Sequence, residues 1–176
     1  MISLYDGYFI IVSFFLLGLY NCVLDKFFIP TIIGISIRKD KSKRSKVMTI
    51  EERADIAANL KATGQCNCTQ SVLKVFEDKM DISPEELTKL AAGFAAGMGC
   101  MESTCGALIG AVMVAGMATD GKGTPRYSKE IVSKFNEKCG ATICKDLKGI
   151  TTGQVLCDCP DCVRNAVLSL GETVEI

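Results

Sequence analysis

The stretch Cys105-Gly-Ala-Leu-Ile-Gly-Ala-Val-Met-Val-Ala-Gly-Met-Ala-Thr119 holds no charged side chain across fifteen residues. A bilayer-spanning helix needs about 20 apolar residues, so this run is too short to cross a membrane. Its length suits a helix buried at the centre of a domain. Gly106 and Gly110, with Ala107 and Ala111, give that helix small faces on which neighbours pack closely. Working outward, helix signals recur and strand signals are nearly absent. Thr49-x-x-Glu52 is a capping-box pattern that opens a helix running to about Ala62, with Gly64 just past its end. A second helix spans about Thr69 to Lys79, with Val72, Val75 and Phe76 at helical spacing. Ser83-Pro84-Glu85-Glu86 opens a third, which carries Leu87, Leu90, Ala91 and Phe94 on one side and stops at Gly97 and Gly99. The central helix starts near Ser103 or Thr104 and runs to about Met117. A fifth helix follows from about Tyr127 to Lys138, a short turn surrounds Cys144, and a last helix starts at Pro160. The expected fold is all-α: a bundle of five to six helices around a central Gly/Ala-rich buried helix.

The composition narrows the function. The chain has 176 residues, 48 % of them hydrophobic and 23 % charged, which supports a packed core rather than disorder. Twenty basic and twenty acidic side chains balance, so no nucleic-acid partner is expected. The absence of His removes Ser-His-Asp and Cys-His catalysis, mixed Cys/His zinc sites and His-ligated haem. The Gly-rich runs lack a P-loop Lys-Ser/Thr and follow no strand, which argues against nucleotide binding.

The balanced charge conceals two unlike segments. Residues 1–47 carry seven Lys/Arg against three Asp/Glu, whereas residues 48–176 carry thirteen against seventeen. Gly7 to Leu24 is an uncharged run of 18 residues, the apolar character resumes after Lys26 through Ile37, and a basic cluster follows from Arg38 to Lys46. Read as an N-terminal transmembrane helix and basic linker, residues 7–37 meet the inner membrane. The positive-inside rule then leaves the body, residues 48–176, in the cytoplasm. A cleavable signal peptide fits poorly, because its leading region should be basic and Asp6 is the only charge there. The other reading makes residues 1–47 an extension upstream of a start at Met48.

Sulfur carries the remaining chemistry. Of ten Cys, Cys22 lies in the apolar N-terminal segment and reads as inert packing. The other nine pair up as Cys66/Cys68, Cys100/Cys105, Cys139/Cys144 and Cys157/Cys159/Cys162. The body is large enough to fold on a hydrophobic core, so paired Cys in a reducing compartment point to redox activity or metal ligation rather than to a disulfide scaffold. Cys68, Cys105, Cys144 and the Cys159-x-x-Cys162 pair fall at expected helix starts. There, unpaired backbone N–H groups favour a thiolate, which is both the nucleophile of disulfide exchange and a metal ligand. No βαβ pattern surrounds Cys159-x-x-Cys162, which argues against a thioredoxin fold. Met98, Met101, Met113 and Met117 read as core filler rather than copper ligands. Glu102 reads as a cap residue rather than a proton acceptor.

The body resembles the C_GCAxxG_C_C family of redox-active bacterial and archaeal proteins over about residues 50–170. The resemblance rests on Asn67-Cys68-Thr69-Gln70-Ser71-Val72-Leu73, on Gly93-Phe94 through Gly97-Met98-Gly99, on Cys105-Gly106-Ala107-Leu108-Ile109-Gly110, on Cys144-Lys145-Asp146-Leu147, and on Cys162 leading into the last helix. It implies a small helical redox domain whose four hallmark cysteines are Cys68, Cys105, Cys144 and Cys162. A related domain in split-Soret cytochrome c binds an iron–sulfur cluster; this chain lacks the His and the haem-attachment motifs of the haem part. Three functions follow as expectations. The first is thiol–disulfide chemistry with an undefined redox partner, Cys162 or Cys105 attacking and a neighbouring sulfur resolving. The second is an electron carrier with the same four Cys as ligands of an iron–sulfur cluster, with zinc as the structural variant. The third is a membrane-tethered accessory protein whose thiols only stabilise packing. Cys66, Cys100, Cys139, Cys157 and Cys159 leave open whether the site is a plain dithiol or a larger sulfur cage. The small faces of the central helix would also accept a homodimer contact. All the redox readings require that these distant sulfurs share one pocket.

Overall fold

The computed structural model describes residues 48–176. The expected membrane anchor, the basic linker and Cys22 lie outside the described residues. Among those described there are seven right-handed helices and no strand, and no helix is long and apolar enough to cross a membrane. They are α1 (Ile50–Ala62), α2 (Cys68–Lys74), α3 (Pro84–Ala91), α4 (Gly106–Ala118), α5 (Thr124–Cys139), α6 (Cys144–Leu147) and α7 (Cys159–Gly171). The number exceeds the expected five to six because the turn at Cys144 is a helix of its own.

The starts are set by side-chain caps. Thr49 and Glu52 form the expected capping box, as do Ser83 and Glu86. A third box, Asn67 with Gln70, moves the start of α2 back to Cys68, and Asp158 accepts from the Asp161 N–H at 2.9 Å to start α7 at Cys159. α2 ends at Lys74, five residues before the expected Lys79, because Arg53 intervenes. This side chain is only 3 % exposed. It donates to the Val75 carbonyl, pairs with both oxygens of Asp78 at 2.6 and 2.7 Å, and stacks 5.0 Å above the Phe76 ring. The chain continues as a 3₁₀ turn over Glu77–Lys79.

α4 is the central helix, and it buries Gly106, Ala107, Leu108, Gly110, Ala111, Val114 and Ala115 against α2, α5 and α7. α1 lies along α7. Phe76, Leu73, Leu108, Ile131, Phe135, Leu147 and Leu170 fill the core between them. Leu90, expected on the apolar side of its helix, and Met98, Met101 and Met117, expected as core filler, are exposed instead. Of the four methionines read as core filler, Met113 packs against the core and the other three do not. α3 gives way to a 3₁₀ turn over Ala92–Phe94 at the point where the side of Leu90 faces solvent.

Candidate functional site

Between α3 and α4 the backbone turns left-handed. Ala96 (φ 52°), Gly97 (φ 57°), Met98 (φ 58°) and Gly99 (φ 79°) follow one another in this region. Each non-Gly residue there costs about 1–2 kcal/mol. Hydrogen bonds hold the turn: Gly99 N–H to Ala95 O at 2.8 Å and Met101 N–H to Ala96 O at 2.9 Å. The chain beyond it is then tied to the start of α6. Lys145 N–H donates to Met101 O at 2.9 Å, Cys144 N–H to Ser103 O at 3.0 Å, and Cys105 N–H to Thr142 O at 2.8 Å. Glu102, expected as a cap, forms an ion pair with Lys145. This lacing places Cys105, the N-cap of α4, next to Cys144, the first residue of α6.

Two glycines permit the approach. A Cβ on Gly97 would stand 2.7 Å from Cys144 Cβ, and one on Gly106 would stand 2.7 Å from both Cys68 Sγ and Thr69 Oγ1. The result is a cavity of about 190 Å³, room for about six waters. Cys68, Cys105, Cys144 and Cys162 all line it, joined by Cys159, Lys148 and Lys61. The four sulfurs singled out from sequence thus share one pocket, and all four are buried. Thr69 Oγ1, against α4 near Cys68, is buried without a hydrogen-bond partner.

The sulfurs are electrostatically unlike. Cys105 is lowered to about 7: the neighbouring Cys162 thiol is the largest influence, the amides of Ala107 and Leu108 and the Lys148 ammonium add to the effect, and burial opposes it. Cys162 is pushed up by the neighbouring sulfurs of Cys105, Cys139 and Cys157 and by burial, and its thiol donates to the Cys157 carbonyl at 3.6 Å. Cys144 rises through burial and the charge of Cys105. Lys148 is raised: burial pulls it down, but its contact with Cys159 and the surrounding sulfurs outweigh that.

Behind the cavity lies a second sulfur group. The Sγ atoms of Cys139, Cys157 and Cys162 all lie within 4.8 Å of one another. Asn165 Nδ2 donates to Cys139 Sγ at 3.4 Å and to Cys157 Sγ at 4.0 Å. Cys139 is lowered by hydrogen bonds from Cys157 and Cys162, while Cys157, which donates to Cys139, is raised. Cys162 belongs to both groups. Sequence reasoning left Cys139 and Cys157 unassigned. The signal was present in the Cys157-x-Cys-x2-Cys162 spacing, but nothing local places the end of α5 beside it. Cys100 is exposed and Cys66 half-buried, and neither lines the cavity. Both groups are wholly sulfur, the soft ligands that iron and zinc take, but among the described residues it is Cys139, Cys157 and Cys162, not the expected set Cys68, Cys105, Cys144 and Cys162, whose sulfurs lie close enough together to hold one metal ion.

The family model described as "Putative redox-active protein (C_GCAxxG_C_C)" matches residues 66–173, more than half of the chain. No curated protein and no solved structure matches it.

Proposed function

The chain belongs to the C_GCAxxG_C_C family, and from that premise we propose that it is a thiol–disulfide redox protein whose working pair is Cys105 and Cys162. One observation carries the reading: Cys105 and Cys162 line the same cavity, and the neighbouring Cys162 thiol is the largest influence lowering Cys105. Cys105 is the nucleophile, since its thiolate is populated near neutral pH, and Cys162 is the resolving thiol, held protonated until needed. The Cys105 thiolate attacks one sulfur of a partner disulfide. A Cys105–partner bond forms, the partner's S–S bond breaks, and its other sulfur departs as a thiolate. Cys162 then attacks Cys105 Sγ and its proton passes to the departing sulfur. A Cys105–Cys162 bond replaces the mixed disulfide. The partner gains two electrons and the one proton of Cys162 from the pair, and its other thiolate takes a proton from water. Lys148 keeps positive charge beside the developing thiolates.

The test is a trap. Cys162→Ser should accumulate a mixed disulfide at Cys105 with an aromatic disulfide reagent, read by peptide mass spectrometry, while Cys105→Ser should form none at Cys162. Equal trapping in the two variants defeats the assignment.

A second reading has its own observation: Cys68, Cys105, Cys144 and Cys162 line one cavity, and four thiolates are what an iron–sulfur cluster requires. A bound cluster would supply one-electron transfer, with the Lys148 charge beside it. Anaerobic purification, an absorption spectrum and metal analysis separate the readings. Visible charge-transfer bands with iron support the cluster, and one zinc per chain without colour supports the structural variant. A colourless, metal-free protein that forms the Cys105–Cys162 bond supports the dithiol.

A further inference from the structure

We propose that Cys139 and Cys157 form an inner dithiol that takes over the disulfide from Cys105–Cys162 by exchange through Cys162, so that one chain stores two disulfides rather than one. The inference rests on the thiol–disulfide reading above. Its first support is that Cys162 is shared: it lines the cavity together with Cys105, and its Sγ lies within 4.8 Å of those of Cys139 and Cys157. A disulfide bond is about 2.05 Å long, so side-chain rotation and small backbone shifts must close the remaining gap. The second support is access. All four sulfurs are buried, but only Cys105 and Cys162 line the cavity; Cys139 and Cys157 do not. Cys105 and Cys162 face that cavity, so a partner sulfur bound there meets them first, and Cys162 is the sulfur through which oxidation can pass on to this pair.

The third support is that the surroundings suit an exchanging pair. Asn165, one turn beyond Cys162 on α7, donates to both Cys139 and Cys157, so whichever sulfur carries charge retains a donor. Cys139 is the last residue of α5, and Cys157 lies outside any helix, at the end of the loop that joins α6 to α7. That loop turns at Gly149 and Gly153, both at positive φ. Sulfurs fixed inside two packed helices would lack this freedom.

The step conserves electrons. Cys139 thiolate attacks Cys162 Sγ of the Cys105–Cys162 bond, the Cys139–Cys162 bond forms, and Cys105 leaves as thiolate. Cys157 then attacks Cys139 Sγ, the Cys139–Cys157 bond forms, and Cys162 leaves with the proton that Cys157 gives up. No outside oxidant or reductant is consumed, and the outer pair is reduced again and ready for a second partner disulfide.

The experiment uses the reduced full chain with a chelator present and diamide as oxidant, which is reduced to its hydrazine as each pair of thiols closes. Samples are quenched in acid over time, alkylated after denaturation and mapped by mass spectrometry. With one equivalent, Cys105–Cys162 should appear first and then decline as Cys139–Cys157 rises. With two equivalents, both bonds should be present. Cys139→Ser should hold Cys105–Cys162 indefinitely and lose half the capacity. Cys157→Ser should stall at Cys139–Cys162, and it keeps the test decisive if Cys139→Ser does not fold. Cys105–Cys162 forming while Cys139 and Cys157 stay fully alkylatable at two equivalents overturns the relay and leaves the first reading standing. No Cys105–Cys162 bond in the wild type or in Cys139→Ser overturns both.

Discussion

Gly106→Ala tests how the site is assembled, because it adds one methyl where three elements meet. That Cβ would stand 2.6 Å from Phe94 O and 2.7 Å from Cys68 Sγ and Thr69 Oγ1. One of the three is a backbone atom and the other two sit in the first turn of α2, so α2 and α4 must separate by several tenths of an ångström. Overpacking of this kind costs about 1–3 kcal/mol. Replacing Gly by Ala in a helix returns at most about 1 kcal/mol, and less at the first helical position. The net loss is about 1–2 kcal/mol, a fall in Tm of about 4–8 °C for a domain of this size. Two other positions on the same helix calibrate it. A Cβ on Gly110 would meet Thr69 O and Val72 Cβ at 3.1 Å, and Gly110→Ala should come out near neutral or mildly destabilising. A Cβ on Gly116 would meet only Thr124 Cγ2 at 3.7 Å, an ordinary contact, so Gly116→Ala should gain about 0.5–1 kcal/mol. Thermal unfolding followed by far-UV circular dichroism under reducing conditions gives the three values. A Tm for Gly106→Ala at or above the wild type would refute the packing argument, as would equal losses at Gly106 and Gly116.

Alkylation of Cys105, followed peptide by peptide against pH, should have its midpoint near 7. The folded value lies below that of an unfolded thiol, about 8.5, so this group stabilises the fold fully above the unfolded value. That increment is lost as pH falls through 7. Lys148→Gln should shift the Cys105 midpoint upward, since Lys148 contributes to the lowering; an unchanged midpoint would count against a role for Lys148. Asp78→Asn removes the partner of Arg53, whose side chain is buried while that of Asp78 is half exposed, and should cost about 1–3 kcal/mol in urea unfolding at pH 7. Arg53 holds the Asp78 carboxyl below the usual range, so its contribution is present above the unfolded carboxylate value and fades as pH falls through the folded one. Asp78→Asn should therefore flatten the acid limb of the stability curve.

The parts of the fold written in local chemistry were legible. Capping boxes at Thr49 and Ser83, and the uncharged run from Cys105, mark helices that the structure contains. The parts fixed by distant contacts were not. Nothing around Val75 announces that Arg53 will take its carbonyl and end α2. The sequence Ala95-Ala-Gly-Met-Gly99 shows an end to a helix, but its left-handed path is imposed by hydrogen bonds within the turn and held by ties to residues 142–145. The hallmark sulfurs line one pocket. The inner pair Cys139 and Cys157 joins them only because α5 ends beside the start of α7, a fact of tertiary packing.

The structure also revises why a thiol here is reactive. From sequence, a helix start alone seemed enough to favour a thiolate. Cys105 and Cys144 both stand at helix starts, yet Cys105 is lowered and Cys144 raised. What separates them is the neighbour: the Cys162 thiol is the largest single influence on Cys105, whereas burial dominates at Cys144. The amides of Ala107 and Leu108 come second to that contact, and Lys148 later still. Cys162→Ala should therefore move the Cys105 alkylation midpoint upward, and further than Lys148→Gln does. If Lys148→Gln shifts it more, or if Cys162→Ala leaves it near 7, the helix start and the cation set the reactivity and the sulfur contact does not.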